Sequence, residues 1–243
     1  MERAERSPSE FRSTRWSVVA RARGPATREA REALGLLFEA YAYPLYAFAR
    51  RRGLARDEAE DAVHDFFARA LDGRSFTNAD PARGRFRAYL LGAFEHLLAN
   101  RKRFWNALRR GGGRSTVSLD ADAAEARYSR EPEAGDDPRK LYEAAWARTL
   151  IERAFGRVRA DYEARGESAL FERLRAQLVE EAEPAQLARI GEELGKNEGA
   201  VKVALHRLRK RFRAALEEEI AETVEGPQDI DDEIRHLFEA LGR

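Results

Sequence analysis

The strongest constraint on this chain is a helical apolar period that stops and then restarts. Leu34, Leu37, Phe38, Tyr41, Leu45 and Phe48 form one stripe, and Val63, Phe66, Phe67 and Ala70 form another. Phe86, Tyr89, Leu90, Ala93, Phe94, Leu97, Leu98 and Trp105 make a third, a strong helical repeat. Pro44 predicts a kink or break in the first helix, and Gly53 its end. The second helix is expected over residues 57–71. Between 109 and 138 the period vanishes amid glycines 111–113, Pro132, Gly135 and Pro138. A structureless loop of that size is unusual inside a compact domain, so the segment reads as an interdomain linker. Helical patterning returns from 141 to 224, and a short amphipathic stretch follows with Ile230, Ile234, Leu237, Phe238 and Leu241.

The expected fold is all-α, since nothing in the pattern points to a β-sheet. It has two small helical domains, 31–108 and 139–225, joined by the flexible linker 109–138. Residues 1–30 are expected to be loose apart from an anchor at Trp16, Val18 and Val19. Residues 226–243 form a C-terminal amphipathic extension, expected to pack on the second domain. Scarce proline and abundant Ala, Leu, Arg and Glu favour helix almost throughout. A 43% hydrophobic content excludes wholesale disorder, and 36% charged residues predict an extensive solvated surface.

The absence of cysteine excludes disulfides, thiolate metal sites and a cysteine nucleophile. No apolar run suits a signal peptide or a transmembrane helix, so the expected location is the cytoplasm, away from membranes. No nucleophile–base set, metal-ligand spacing or phosphate loop appears, and glycines 111–113 are a flexible run rather than a P-loop. The chain is therefore not expected to be an enzyme, nor to need a metal or cofactor.

The net charge of +1 hides a segregated distribution. Residues 196–213 hold seven Lys and Arg against the single acid Glu198, while 217–233 hold nine acids and no base. Within 186–213, Leu187, Ile190 and Leu194 give a short helix its buried side, Gly195 stops it, and Asn197 can cap the next. On that next helix Val201, Leu205, Leu208 and Phe212 form a core-facing stripe. Lys202, Val203, His206, Arg207 and Lys210 project to the other side. Short helix, tight turn and half-basic second helix place side chains in a DNA major groove, where Arg and Lys meet guanine and neutralise phosphate. An ordinary solvated basic helix explains the charge but not the turn and the apolar register together.

Two further surfaces stand out. Asp57, Glu60, Asp61, His64 and Asp65 fall on one arc of the second helix, opposite Val63, Phe66 and Ala70. DNA repels such a face, so it is either plain solvated surface or a protein-binding one. The third helix opens with Arg83, Arg85 and Arg87 and is followed by Arg101, Lys102, Arg103, Arg109 and Arg110. Tyr89, Phe104 and Trp105 are interleaved with them, a combination that suits single-stranded nucleic acid.

These parts, in this order, resemble the extracytoplasmic-function sigma factors of the sigma-70 family, two-domain initiation factors of bacterial RNA polymerase. The resemblance is carried by Tyr43-Pro44-Leu45-Tyr46-Ala47-Phe48, Arg50-Arg51-Arg52-Gly53 and Glu60-Asp61-Ala62-Val63-His64-Asp65-Phe66-Phe67. It continues through Asp80-Pro81-Ala82-Arg83-Gly84-Arg85-Phe86-Arg87-Ala88-Tyr89-Leu90-Leu91, Arg110-Gly111-Gly112-Gly113, Ser118-Leu119-Asp120 and Glu198-Gly199-Ala200-Val201-Lys202-Val203-Ala204-Leu205-His206-Arg207-Leu208. Thr14-Arg15-Trp16-Ser17 looks like the opening of the subgroup frequent in planctomycetes.

The resemblance implies a sigma2-like first domain and a sigma4-like second one. Glu60, Asp61, His64 and Asp65 would grip the clamp helices of the core polymerase β′ subunit. Arg83, Arg85, Arg87, His96, Asn100 and Arg103 would open and read the −10 element of promoter DNA. Lys202, Val203, His206, Arg207 and Lys210 would read the −35 element, with the second domain also touching the β flap. The family often has Gln at the place of His64 and Asn at that of His96. An anti-sigma factor or a Ser/Thr kinase would be a controlling partner. Asp120, Asp122, Glu125, Glu131, Glu133, Asp136 and Asp137 make the linker acidic, which fits mimicry of RNA charge along the RNA path. The alternative is a helix-turn-helix transcriptional regulator acting on DNA without replacing sigma, which should bind operator DNA tightly by itself. An anti-sigma or adaptor protein that uses the acidic face alone leaves the basic recognition helix unexplained.

Overall fold

A computed structural model describes residues 15–22, 27–71, 76, 79–80, 85–104, 119–131, 137–178, 183–221, 224 and 229–242. The described residues are almost wholly helical and contain no strand. Their helices are α1 (Arg15–Ala22), α2 (Arg28–Arg51), α3 (Arg56–Leu71), α4 (Phe86–Phe104), α5 (Ala121–Tyr128), α6 (Pro138–Ala164), α7 (Ser168–Leu174), α8 (Pro184–Leu194), α9 (Glu198–Ala221) and α10 (Ile230–Ala240). A 3-10 turn, Arg175–Gln177, follows α7. No helix among the described residues is long and apolar enough to cross a membrane. The chain divides into one unit of Met1–Thr149 with Ile220–Arg243 and a second of Leu150–Glu219.

The first unit is organised around α2. Thr27 caps its N-terminus, its side chain accepting from the Ala30 amide at 3.2 Å. Every residue from 40 to 49 is buried, so the helix is enclosed on all sides. That enclosure explains why Pro44 does not break it: the surrounding packing outweighs the one missing N–H. Of the expected kink or break, the break is corrected: the helix runs on through Pro44. Gly53, at φ 90°, ends the run. Aromatic rings join α2 to its neighbours: Phe38 meets Phe67 at 5.0 Å, Tyr41 meets Phe86 at 5.6 Å, and Phe48 meets Phe94 at 6.3 Å between ring centres. Each such pair adds about 1 kcal/mol beyond its buried area.

Three boundaries differ from the sequence reading. The N-terminal segment contains α1, whose Val18 and Val19 are buried against α2, so ordered structure begins before residue 31. The supposed linker 109–138 contains α5, which packs on α2 and α3. Its apolar period is too short to read, because Ala124 is its one buried residue and polar contacts, including the ion pairs Glu125–Arg50 and Asp122–Arg56, do much of the holding. The extension 226–243 contains α10, which belongs to the first unit rather than the second. Its inward side carries a carboxylate, Glu233, as well as Leu237, so complementary charge and not apolar area alone chose its seat.

The second unit comprises the later part of α6, α7, α8 and most of α9. Its core gathers Ala154, Val158, Tyr162, Phe171, Leu174, Leu187, Ile190, Val201, Leu205 and Leu208. Phe155 lies 5.0 Å from Phe171 and 6.3 Å from Phe212. Buried Glu219 is held by Arg153 at 2.8 Å and Arg157 at 3.1 Å.

Candidate nucleic-acid interface

The turn between α8 and α9 is built as the sequence predicts. Gly195 takes φ 63°, a left-handed cap, and Asn197 Oδ1 accepts from the Ala200 amide at 2.7 Å. A further glycine was not singled out from the sequence. A Cβ on Gly191 would stand 2.5 Å from the Lys196 carbonyl oxygen, so the turn closes only over a bare α-carbon. Val201, Leu205 and Leu208 face inward, as expected, and Phe212 is half-buried.

Lys202, Val203, His206, Arg207 and Lys210 are all exposed and share the outer side of α9. Val203 is 50% exposed, an apolar side chain left in water where a thymine methyl could dock. Lys202 also pairs with Glu198 one turn earlier at 2.7 Å, an exposed contact worth only a few tenths of a kcal/mol. The basic run is not uniformly available. Arg209 donates to the Gln177 carbonyl at 2.8 Å, and Arg211 lies over the Tyr162 ring at 5.1 Å and near Asp161 at 3.5 Å. These two arginines hold the unit together.

In the first unit Glu60, Asp61, His64 and Asp65 lie along one side of α3, opposite buried Ala59, Ala62, Val63, Phe66 and Phe67. Asp61 is exposed and the others are partly covered. Asp65 pairs with Arg69 at 3.0 Å. His64 accepts from the Leu119 amide at 2.9 Å and stacks on Phe38 with ring centres 6.3 Å apart. Its ring is thus fixed by the chain that leads into α5.

The set assigned to the −10 element is divided. His96 is exposed on α4 and contacts Asn100 at 3.2 Å. Arg83 and the side chain of Arg103 lie outside the described residues. At about 100° per residue, Arg87 stands roughly half a turn away from His96, on the opposite side of the helix. There it is only 5% exposed, with Nε 2.6 Å from Glu143, a second ion pair to Glu233, and its guanidinium 4.3 Å from the Trp146 ring centre. A residue expected to face DNA is enclosed in protein. Arg85 is half-exposed, and it too reaches Glu233, at 3.0 Å, and His236 Nδ1, at 3.0 Å. The sequence offered one signal for this, the acid-only stretch 217–233 facing a chain rich in arginine.

The linker acids are also engaged. Glu125 receives Arg50 in a two-pronged pair and the Tyr46 hydroxyl. The hydrogen bond from Arg50 holds its carboxyl below the usual carboxylate range, against the opposing effect of burial. Glu131 receives Tyr43 and Arg148, and Asp122 receives Arg56. Burial first, and the bond to Glu131 second, push the Tyr43 hydroxyl well up. Asp120 caps α5 through the Ala123 amide at 3.0 Å. In this conformation these charges are engaged by the chain's own arginines, tyrosines and helix end. Glu133 and Asp136 lie outside the described residues. No group of His, Asp and Glu that could hold a metal occurs among the described residues.

Comparison with known proteins bears on the first unit. No curated protein and no solved structure matches the chain. Residues 37–104 match the family described as Sigma-70 region 2. That span runs from within α2 to the end of α4 and includes Glu60, Asp61, His64, Asp65, Arg85, Arg87, His96 and Asn100. Over that span the first unit is therefore similar to Sigma-70 region 2.

Proposed function

We propose that the protein is an alternative sigma factor of the extracytoplasmic-function type, in the planctomycete-like subgroup, acting in the cytoplasm. It binds core RNA polymerase and directs initiation at promoters defined by −35 and −10 elements. The observation that supports this reading is one chain with both a match to region 2 over residues 37–104 and, in its second unit, two helices joined by a tight turn, the second with an exposed basic face. Glu60, Asp61, His64 and Asp65 are the residues for the β′ clamp helices. Their carboxylates sit on a regular helix side with no pocket chemistry, which suits a protein partner. Lys202, Val203, His206, Arg207 and Lys210 are the residues for the −35 element, on the side of α9 that leaves its core stripe undisturbed, and the same unit is the one to meet the β flap. Arg85, His96 and Asn100, with Arg83, Arg87 and Arg103, are the set for the −10 element. An anti-sigma factor or a Ser/Thr kinase is the proposed source of control.

Reconstitution with core polymerase on a pooled promoter library tests the reading. The expected result is core binding and initiation at a subset of promoters sharing two spaced elements. Failure to bind core, or tight binding to duplex operators without polymerase, would favour the regulator instead.

A further inference from the structure

The arginines that open α4 are covered by an element outside region 2. Glu233, one turn before fully buried Leu237 on α10, is 1% exposed and contacts both Arg85 and Arg87. Glu143 of α6 takes the other side of Arg87, and the Tyr142 hydroxyl donates to the Arg87 carbonyl at 3.1 Å. Two positive charges thus face two carboxylates, with Arg87 and Glu233 buried and Arg85 and Glu143 partly exposed. Guanidinium groups bind carboxylate and phosphate through the same flat, two-pronged geometry, so Glu233 occupies the kind of position a backbone phosphate would take.

We propose that α10 is an autoinhibitory clasp, with Glu233 standing in for a nucleic-acid phosphate on Arg85 and Arg87 until promoter DNA displaces it. This rests on the sigma-factor reading of those arginines. Three observations make the contact reversible rather than a permanent strut. A buried ion pair stabilises weakly, because desolvation offsets most of its attraction. One oxygen, Glu233 Oε2, is buried without a hydrogen-bond donor among the described residues, leaving only the 3.0 Å ionic contact with Arg85. And α10 spans 11 residues, a length at which an isolated helix is marginal, so it persists only while seated. The exposed acids at the start of α10, Asp231 and Asp232, favour release, since approaching phosphates repel them while attracting the arginines.

The test uses the full chain and E233Q, with a fluorescein-labelled single-stranded DNA 30-mer of mixed sequence as probe. Anisotropy at fixed low salt should show E233Q binding about tenfold more tightly, the gain expected when a state closed about ten to one is opened. Hydrogen exchange across Ile230–Ala240 of the unmodified chain should quicken when the probe is bound. A folded E233Q that binds no better than its parent overturns the clasp, as does undetectable binding by both. Should E233Q lose helix content, the exchange measurement on the unmodified chain decides: protection retained at saturating probe overturns the proposal. Core binding is measured in parallel on the unmodified chain. Its failure refutes the sigma reading, while a gain in probe affinity for E233Q would still support the clasp.

Discussion

Arg50 and Glu125 meet across 75 residues of sequence in a two-pronged pair, Nε to Oε2 at 3.0 Å and NH2 to Oε1 at 2.8 Å. The Tyr46 hydroxyl adds a third donor to the same carboxylate, and the Arg50 guanidinium also lies 5.2 Å from the Tyr128 ring centre. The pair fastens α5, in the segment that reads as linker, onto the central helix of the first unit.

Glu125→Gln should therefore undock α5 and destabilise the first unit by about 1–2 kcal/mol, the range for a partly buried, charge-assisted pair. The effect carries a pH signature. The Glu125 carboxyl is lowered in the folded chain from its ordinary value of 4.5. Its contribution is thus fully present above that value and is lost as pH falls through the lower, folded one. Urea unfolding of parent and variant should differ at neutral pH and converge in acid, below the ordinary carboxylate value. A difference that persists undiminished at pH 2 would contradict the assignment.

Gly191→Ala should damage the second unit more than its small volume implies. The added methyl would stand 2.5 Å from the Lys196 backbone oxygen, and a backbone atom in a closed turn has little room to retreat. Overpacking of this kind costs roughly 2–3 kcal/mol. Thermal unfolding should report the loss, with a parallel fall in binding to −35 DNA. Gly195→Ala, strained by its φ of 63° but uncrowded, should cost about 1 kcal/mol, so the ranking of the two variants separates crowding from backbone strain.

The longer helices, the turn at Gly195 and the outer face of α9 were legible because each depends on local period and capping. Leu187, Ile190, Val201, Leu205 and Leu208 could be placed inside from spacing alone. What escaped was set by partners distant in sequence. Nothing near Arg87 announces Glu233, 146 residues away, so its charge reads as free and DNA-facing when it is enclosed. Pro44 reads as a kink or break because local rules do not know that residues 40–49 are surrounded. The acids at 122, 125 and 131 read as an unpaired track because their arginine and tyrosine partners lie on α2 and α6 and at the start of α3.

The basic run of α9 predicts a split between neighbouring arginines. Arg207→Ala removes an exposed guanidinium from the outer face and should weaken −35 DNA binding several-fold while leaving the melting temperature almost unchanged. Arg209→Ala removes the bond to the Gln177 carbonyl, 2.8 Å long, and should lower stability by about 1 kcal/mol with a smaller effect on DNA. Electrophoretic mobility shift and thermal melting on the same preparations check both. Equal losses of DNA binding would mean that the run acts only through its total charge.

Glu60 and Asp61 lie side by side on α3, away from the buried stripe of Ala59, Ala62 and Val63. Reversing both charges with Glu60→Lys and Asp61→Lys should leave helix content and melting close to the parent, since no core contact is altered. Core polymerase should respond differently. Each reversal replaces an attraction at a charged interface with a repulsion, and a loss of about 1.4 kcal/mol per reversal gives roughly 100-fold weaker binding for the pair. The loss should appear chiefly in the association rate and shrink as salt is raised, because it comes from steering between surface charges. Competition against a labelled sigma factor at two salt concentrations measures both parts. Unaltered affinity at low salt would remove α3 from the polymerase interface and leave its acids as solvated surface.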